Sequence, residues 1–460
     1  MSATLQFLGA ARTVTGSKHL LQVSGKQYLI DCGLFQGSRN LSELNWKPLP
    51  VGAHEIDAVL ITHAHIDHIG YLPRLWKDGF RGPIYCTKAT ADITRLSLPD
   101  SGELQEEFAR YANKKGFSRH KPALPLYTAD DAYAVCKLLE PINFDENYDL
   151  AGKCVMCYRR AGHILGSAFI EFFLPDGRKI LFSGDLGRFD TAIIRDPEII
   201  EAADILLIES TYGDRVHSSE SAIGELEAVL HHAVEVGGMV IIPAFAIGRT
   251  QEVLYMISQL QREGRLPKMP MFVDSPMAID ATSIYAKHHD DHDLEMEELE
   301  DDNRNPLRPQ DLIFARKVNE SKKINELRGP ALVIASSGMA NGGRVVHHLH
   351  RRLANENNTV LFVGYQAAGT LGRELVDGAG EVEIMGDWIP VRASIRKIDS
   401  LSAHADSNEI MSWLSKIKLP PKMTYVVHGE PGPMKSLSDR IRVELGWATH
   451  MPELFEAVAL

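Results

Sequence analysis

Ala58-Val59-Leu60-Ile61 is an apolar run, and one residue later follows His63-Ala64-His65-Ile66-Asp67-His68, which contains four potential metal ligands. The run is typical of a buried strand, so the ligands are predicted to lie in the loop at its carboxyl end. His63 and His65 are two residues apart, so in extended backbone they point the same way and can bind one ion. Asp67 and His68 open the next turn and can bind a second ion. The stretch therefore predicts two neighbouring metals.

Further ligands must come from elsewhere, because two metals need roughly seven or eight protein donors together with water. His163 lies between glycines in 161–166, and these let the backbone turn tightly and bring the imidazole near an ion. Asp185 follows the strand-like run 179–183 and a glycine, where its carboxylate can bridge two cations. His428 follows the apolar run 424–427 in the same way. Taken singly, each residue fits an ordinary turn or core position equally well.

The order and context of these residues resemble the signature of the metallo-β-lactamase superfamily, HxHxDH followed by a spaced histidine, aspartate and histidine. The resemblance implies that one metal is held by His63, His65 and His163, that the other is held by Asp67, His68 and His428, and that Asp185 bridges the two. It also implies that Asp31, after the strand-like 28–30, accepts an N–H from a ligand histidine. Its alternative is an ordinary turn aspartate. Mixed imidazole and carboxylate ligands favour two zinc ions, with manganese as the alternative.

Roughly 240 residues separate Asp185 from His428, so a domain-sized insertion is predicted. Three residues resemble motifs of the β-CASP branch, whose members are nucleic-acid-processing nucleases. Glu209 matches its motif A, His404 its motif B and His428 its motif C. A histidine at motif C implies RNA as the substrate and opposes the alternative of a DNA-repair nuclease from the same branch.

The fold class is predicted to be α/β, because strand-like and helix-like segments alternate along most of the chain. By resemblance, residues 1–209 and 396–460 should form a four-layer αββα sandwich. Residues 210–395 should form an inserted α/β domain with a mostly parallel sheet. The chain is expected to be a minimal, two-domain member, without the additional N-terminal or C-terminal domains of some relatives.

Three tracts of the predicted insertion share an apolar strand, a glycine-containing turn, an arginine and a helix-like segment. Glycines let backbone amides approach an anion, and the arginine adds a bidentate donor, so this layout is typical of phosphate binding. The predicted substrate-binding residues are Arg249, Ser337, Gly338, Arg344 and Arg373. Ordinary strand-to-helix connections use the same glycines, so any single loop fits this alternative as well as it fits phosphate binding.

Composition indicates a cytoplasmic enzyme without a membrane span or signal peptide. The five cysteines cannot all pair, which favours free thiols. The net charge of −12 is unexpected for a protein that meets phosphates. Most of it comes from residues 290–302, which contain nine acidic residues and no Lys or Arg; such a run is usually a solvated surface.

The expected reaction is metal-dependent hydrolysis of RNA phosphodiester bonds by a two-metal hydroxide mechanism. By resemblance, the catalytic residues are Asp67, Asp31, His404 as general acid and Glu209 as the residue that orients it. The RNA is expected to be single-stranded and endonuclease action is favoured, with 5′-to-3′ exonuclease action as the alternative. The resemblance also implies a homodimer. A small-molecule hydrolase of the superfamily and a non-catalytic RNA-binding scaffold remain open at this point.

Overall fold

The computed structural model describes residues 3–116, 118, 121–218, 220–301, 305–367, 369–398 and 400–460. The chain divides into two compact units by its internal contacts. Unit 1 comprises Met1–Asp190, Asp196–Val216 and His404–Leu460, and unit 2 comprises Thr191–Arg195 and His217–Ala403. Each unit has its own hydrophobic cores, and each is described separately below.

Unit 1 contains two seven-stranded sheets. The first has the order β22-β1-β2-β3-β4-β5-β6 and consists of β1 (Thr4–Phe7), β2 (His19–Val23), β3 (Lys26–Ile30), β4 (Ala58–Leu60), β5 (Ile84–Thr87), β6 (Leu139–Ile142) and β22 (Ala457–Ala459). The second has the order β21-β20-β11-β10-β9-β8-β7 and consists of β7 (Asn147–Leu150), β8 (Cys154–Arg160), β9 (Ala168–Phe173), β10 (Lys179–Phe182), β11 (Ile205–Ile208), β20 (Met423–Val426) and β21 (Thr449–His450).

Each sheet of unit 1 contains a run of neighbouring parallel strands, whose carboxyl ends lie at the same edge of the sheet. Strands β3, β4, β5 and β6 are parallel neighbours, and so are β10, β11, β20 and β21. Side chains from both sheets form one core, in which Phe7 and Leu60 of the first sheet belong with Phe172 and Ile180 of the second. The sheets therefore pack face to face, as in a sandwich.

Helices cover the outer faces of this sandwich. The helices of unit 1 are α1 (Arg39–Leu44), α2 (Ile66–Ile69), α3 (Leu72–Lys77), α4 (Lys88–Lys115), α5 (Ala129–Val135), α13 (Ser407–Leu414) and α14 (Pro431–Arg440). Helix α4 contacts β5 and β6, and the apolar residues Trp413 of α13 and Leu437 of α14 pack with Leu206 of β11. The result is the four-layer αββα arrangement.

Unit 2 is built on a six-stranded sheet with the order β14-β13-β15-β12-β16-β19, in which every neighbouring pair is parallel. Its strands are β12 (Met239–Pro243), β13 (Met271–Val273), β14 (Leu312–Phe314), β15 (Ala331–Ala335), β16 (Thr359–Phe362) and β19 (Ser394–Lys397). A separate antiparallel hairpin consists of β17 (Glu381–Ile384) and β18 (Asp387–Pro390). Near-continuous apolar strands such as β12 and β15 are fully buried, as parallel strands covered on both faces require.

The helices of unit 2 lie against both faces of its sheet, with one core on each side. They are α6 (Ala222–Val236), α7 (Arg249–Arg262), α8 (Pro276–Tyr285), α9 (Leu294–Asp301), α10 (Val318–Ile324), α11 (Arg344–Arg352) and α12 (Leu371–Val376). The predicted α/β fold class is confirmed. Within the described ranges, no helix combines the length and the apolar character that crossing a membrane demands.

Candidate metal centre

The predicted metal ligands lie at the carboxyl ends of strands in both sheets of unit 1. His63 and His65 follow β4, Asp185 follows β10 and His428 follows β20. Asp67 and His68 belong to the short helix α2, and His163 lies in the loop between β8 and β9. Gly184 has φ +50°, and a Cβ on it would lie 2.6 Å from Cβ of Thr62, so only glycine fits where the two sheets come together. The parallel strands thus bring residues from distant parts of the sequence to one edge.

The first histidine set converges on one point. Nδ1 of His65 lies 3.1 Å from Nε2 of His63 and 3.2 Å from Nε2 of His163. Oδ2 of Asp185 lies 3.4 Å from His63 Nε2 and 3.5 Å from His163 Nε2. These four atoms form the corners of a compact, buried group.

The second set lies beside the first. Nε2 of His428 lies 3.3 Å from Nε2 of His68 and 3.3 Å from Oδ2 of Asp67. Oδ1 of Asp185 lies 3.3 Å from His68 Nε2. Because its two oxygens face different histidine sets, Asp185 has the geometry of a bridging carboxylate.

Both sets fit divalent metal ions. A tetrahedral ion with ligand bonds of about 2.0–2.2 Å separates its donor atoms by about 3.3–3.6 Å, close to the spacings of both groups. Hydrogen bonds alone would require the single lone pair of His65 Nδ1 to accept from both His63 Nε2 and His163 Nε2, whereas one metal ion can bind all three nitrogens. Burial lowers the pKa of His63 well below its ordinary value and that of His65 to about 4. These rings are therefore neutral, the form that binds metals.

Asp31 connects the ligands to the end of β3. Its Oδ2 lies 2.7 Å from Nδ1 of His68, which leaves His68 Nε2 directed at the second group. Thr62 donates its backbone N–H to Asp31 Oδ1 at 2.8 Å and its hydroxyl to Oδ2 at 2.9 Å. Asp31 therefore holds both a ligand histidine and the residue that precedes His63.

His404 and Glu209 form a pair next to the ligands. Nδ1 of His404 lies 3.0 Å from Oε1 of the fully buried Glu209, which also accepts the backbone N–H of Leu186 at 2.7 Å. The His404 ring contacts that of His163, with ring centroids 4.4 Å apart and the ring planes inclined at 49°. Burial by itself would lower the pKa of His404, but the adjacent Glu209 carboxylate outweighs it and raises the pKa to about 9. Glu209 thus favours the protonated form of the His404 imidazole.

Comparisons with known proteins identify the family. One family model, the Beta-Casp domain, matches residues 250–375, and a second, the Zn-dependent metallo-hydrolase RNA specificity domain, matches residues 388–452. A third, the Anti-Pycsar protein Apyc1, matches residues 3–236. Ribonuclease TTHA0252 of Thermus thermophilus is 37% identical over 425 residues, which cover 92% of this chain and 92% of the relative.

The chain belongs to the β-CASP branch of the metallo-β-lactamase superfamily.

Other relatives agree with this assignment. Transcription termination factor FttA of Methanocaldococcus jannaschii is 30% identical over 466 residues, covering 99% of this chain and 71% of the relative. FttA of Methanosarcina mazei is also 30% identical, with coverage of 98% and 71%. A crystal structure of a protein of unknown function from Enterococcus faecalis superposes with a TM-score of 0.57 at 12% identity over the whole of both chains, which shows a shared fold. The predicted β-CASP family is therefore confirmed, and with it the enzyme class of metal-dependent RNA hydrolases.

The five predicted substrate-binding residues of this β-CASP protein all lie in unit 2. Helices α7 and α11 begin at Arg249 and Arg344, each directly after a glycine with positive φ, as the predicted layout requires. The structure also pairs each arginine with a carboxylate of the same unit. Arg249 pairs with Glu252, Arg344 Nη1 lies 2.7 Å from Asp274 Oδ1, and Arg373 Nε lies 2.8 Å from Asp377 Oδ2. Ser337 and Gly338 follow β15 in the loop that leads to α11.

The sequence did not indicate three polar residues of this β-CASP centre, which either contact the candidate ligands or line the cavity next to them. They are Thr62, Thr211 and His19. The Thr211 hydroxyl lies 3.1 Å from Nδ1 of His428, and His19 lines a small cavity behind His68 and His428. Nδ1 of His19 has no hydrogen-bond partner within the described part of the chain. The one available signal was the position of His19 directly before the apolar pair Leu20-Leu21 of β2.

Proposed function

We propose that this protein cleaves phosphodiester bonds in single-stranded RNA at the candidate metal centre. The observation that carries the proposal is the pair of ligand groups that share Asp185, with His404 and Glu209 beside them. We assign one zinc ion to His63, His65 and His163 and another to Asp67, His68 and His428. Two such ions, when bound, lower the pKa of water and neutralise phosphoryl charge.

The side chains of this site supply the remaining chemistry. Hydrolysis of a phosphodiester needs a proton for the departing oxygen, and His404, whose protonated form Glu209 favours, can supply it. Glu209 orients the His404 ring and stabilises its charged form, while two backbone N–H groups hold the Glu209 carboxylate. Asp31 keeps His68 in the tautomer that presents Nε2. In this scheme His404 is the general acid, Glu209 and Asp31 position other residues, and Asp67 is a ligand.

RNA is proposed as the substrate because the family model that matches residues 388–452 is an RNA specificity domain, and because a relative of nearly equal length is a ribonuclease. A small-molecule hydrolase would not need the Beta-Casp domain matched at residues 250–375. We propose that this domain corresponds to unit 2. Endonuclease action, a homodimer and residence in the cytoplasm belong to the same proposal; the cytoplasm is supported by five unpaired cysteines, all within the described ranges.

The test is a time course on 5′-labelled single-stranded RNA, with DNA of the same sequence alongside. The wild-type protein should cleave the RNA and not the DNA. The variant Asp67→Ala, purified identically, should lose both metal and cleavage. The matched control Asp439→Ala, which removes a carboxylate paired only with surface side chains in the structure, should keep both.

The products of this assay distinguish the remaining alternatives. Internal fragments would indicate endonuclease action, and released mononucleotides would indicate exonuclease action. Equal, low degradation by wild type and Asp67→Ala would indicate contamination and contradict the proposal. Binding of RNA without metal-dependent cleavage would support the scaffold alternative.

A further inference from the structure

A second group of potential metal ligands lies in unit 2, apart from the residues assigned above. His289 belongs to a short 3-10 turn, His289–Asp291, that follows α8, His292 comes directly after that turn, and Glu300 lies near the end of α9. One nitrogen of each ring faces the same carboxylate oxygen. Oε2 of Glu300 lies 2.7 Å from His289 Nδ1 and 3.0 Å from His292 Nδ1.

The hydrogen bonds of His292 are what make this group unusual. Its ring is fully buried, and Nε2 lies 2.9 Å from the carbonyl oxygen of Tyr285, so Nε2 carries a proton and donates it. In a neutral imidazole Nδ1 is then an acceptor, and it faces a second acceptor, the Glu300 oxygen. Two lone pairs at this distance repel, so the group needs either a second proton on the His292 ring or a cation bound by all three side chains. Tetrahedral donors lie about 3.3–3.6 Å apart, so binding an ion would move these side chains slightly apart.

The neighbourhood of the group is strongly acidic, which attracts cations. Six further carboxylates belong to the turn and to the start of α9 or lie between them, at Asp290, Asp291, Asp293, Glu295, Glu297 and Glu298. Arg195 donates to the carbonyl oxygen of His292 and pairs with Glu297, and does not pair with Glu300 in the structure. The Glu300 side chain is 17% exposed and that of His289 is 61% exposed, so an ion can enter from solvent.

We propose that His289, His292 and Glu300 bind one divalent first-row metal ion, Zn²⁺ foremost, at a site separate from the candidate metal centre. Two imidazole nitrogens and a carboxylate oxygen are a common zinc ligand set, with water in the fourth position. A ligand histidine typically donates its other N–H to a backbone carbonyl, as His292 does to Tyr285. The ion joins the turn after α8 to α9 and so fixes the segment onto which Arg195 binds.

The test measures zinc content and does not depend on RNA cleavage. Full-length wild type, His289→Ala and Glu300→Gln are loaded with zinc, dialysed and compared by elemental analysis. Each variant should hold one equivalent less than the wild type and should cleave RNA at the wild-type rate. His232→Ala, which removes an exposed histidine of α6, should hold as much zinc as the wild type.

A second measurement separates the metal from a proton on His292, the competing explanation. Added zinc should raise the melting temperature of a His65→Ala/His68→Ala variant, in which both ligand sets of the candidate metal centre are incomplete, and should not do so once Glu300→Gln is also present. Equal zinc content in wild type, His289→Ala and Glu300→Gln would overturn the proposal, and so would a zinc-induced stabilisation that survives Glu300→Gln.

Discussion

Thr62 joins the end of β4 to the candidate metal centre. Its backbone N–H and hydroxyl both bond Asp31, whose carboxylate also contacts His68, and its hydroxyl lies 3.1 Å from Nδ1 of His63. Thr62 therefore contacts His63 of the first ligand set directly, and it contacts Asp31, which orients His68 of the second set. Such supporting contacts typically change metal affinity by about 10–100-fold.

We expect Thr62→Val, which keeps the shape and the backbone N–H, to weaken zinc binding by about tenfold, at the lower end of that range. Competition with a chromogenic chelator measures this affinity. Thr424→Val is the matched control, because Thr424 is also fully buried but its hydroxyl has no partner in the described ranges. An unchanged affinity in Thr62→Val would show that the hydroxyl does not support the ligands.

His404→Ala separates proton donation from metal binding. Removal of a general acid typically lowers turnover by about 10²–10⁴-fold, so we expect a loss of that size with zinc content unchanged. His65→Ala should lose zinc and activity together, because His65 Nδ1 stands among the first ligand group. Loss of zinc from His404→Ala would make His404 a ligand and refute its role as the acid.

At this scale, spacing and residue chemistry predicted which histidines and carboxylates the fold brings together, because such residues cluster rarely by chance. Thr62 and Thr211 carried no comparable signal, since threonine is common at strand ends. The partners of Arg249 and Arg373 lie only three and four residues further along the chain. That of Arg344 was hidden, because Arg344 pairs with a residue 70 positions earlier and only the assembled sheet brings the two together.

At the scale of elements, a buried polar network joins three elements of unit 2. Asp274, directly after β13, accepts from His348 of α11 at 2.7 Å and from the Ser321 hydroxyl of α10 at 2.6 Å. Burial lowers the pKa of His348 below its ordinary value of 6.5, despite the hydrogen bond to Asp274. Burial would raise the pKa of Asp274, but donation from His348, Ser321 and Arg344 outweighs it and lowers that pKa.

The network predicts that acid destabilises unit 2. Both groups bind protons less readily when folded than when unfolded, so the free energy of unfolding should fall as the pH drops below about 6.5, the ordinary histidine value. Urea unfolding followed at several pH values measures the slope. His348→Gln should flatten the dependence of the free energy of unfolding on pH, from about pH 6.5 down to the pKa of His348 in the folded protein. His232→Gln should leave this dependence unchanged. An unaltered slope in His348→Gln would assign the acid sensitivity to other groups.

The sequence indicated where helices begin more readily than it indicated which distant residues contact one another. The predicted strand, glycine turn, arginine and helix occur at both Arg249 and Arg344, because the left-handed glycine and the helix start are local features. Likewise Asp406, two residues after His404, caps α13 by accepting from two backbone N–H groups. The Ser321 contact of Asp274 was not predictable, since it joins residues 47 positions apart across a parallel sheet.

At the scale of the whole molecule, every candidate ligand of the metal centre belongs to unit 1, which has its own cores. We expect Ile257→Ala, which opens a cavity in a core of unit 2, to lower the stability of that unit by about 2–5 kcal/mol. Zinc binding at the unit 1 ligands should persist. Urea unfolding and zinc titration measure the two properties, with the partly exposed Val234→Ala as a mild control. Loss of zinc from the ligands of unit 1 would contradict this separation.

The long separation of Asp185 from His428 indicated an insertion, but its limits were not visible in the sequence. Thr191–Arg195 belongs to unit 2 although it lies between segments of unit 1. Ile194 forms an antiparallel bridge with His292, and the Arg195 side chain donates to the carbonyl oxygen of His292, 97 positions away. A backbone carbonyl leaves no trace in residue identity, so such a contact is found only in the structure.

The arrangement of unit 1 also has a consequence for how the protein is made. His63, His65, His163 and Asp185 leave the ribosome early, whereas His428 follows roughly 240 residues later. At about 5–20 residues per second, the interval is roughly 12–50 s. During that time β11 lacks its neighbour β20, and the second ligand group lacks its last histidine. The nascent polypeptide thus cannot complete its hydrolytic centre next to the messenger being translated until residue 428 has emerged.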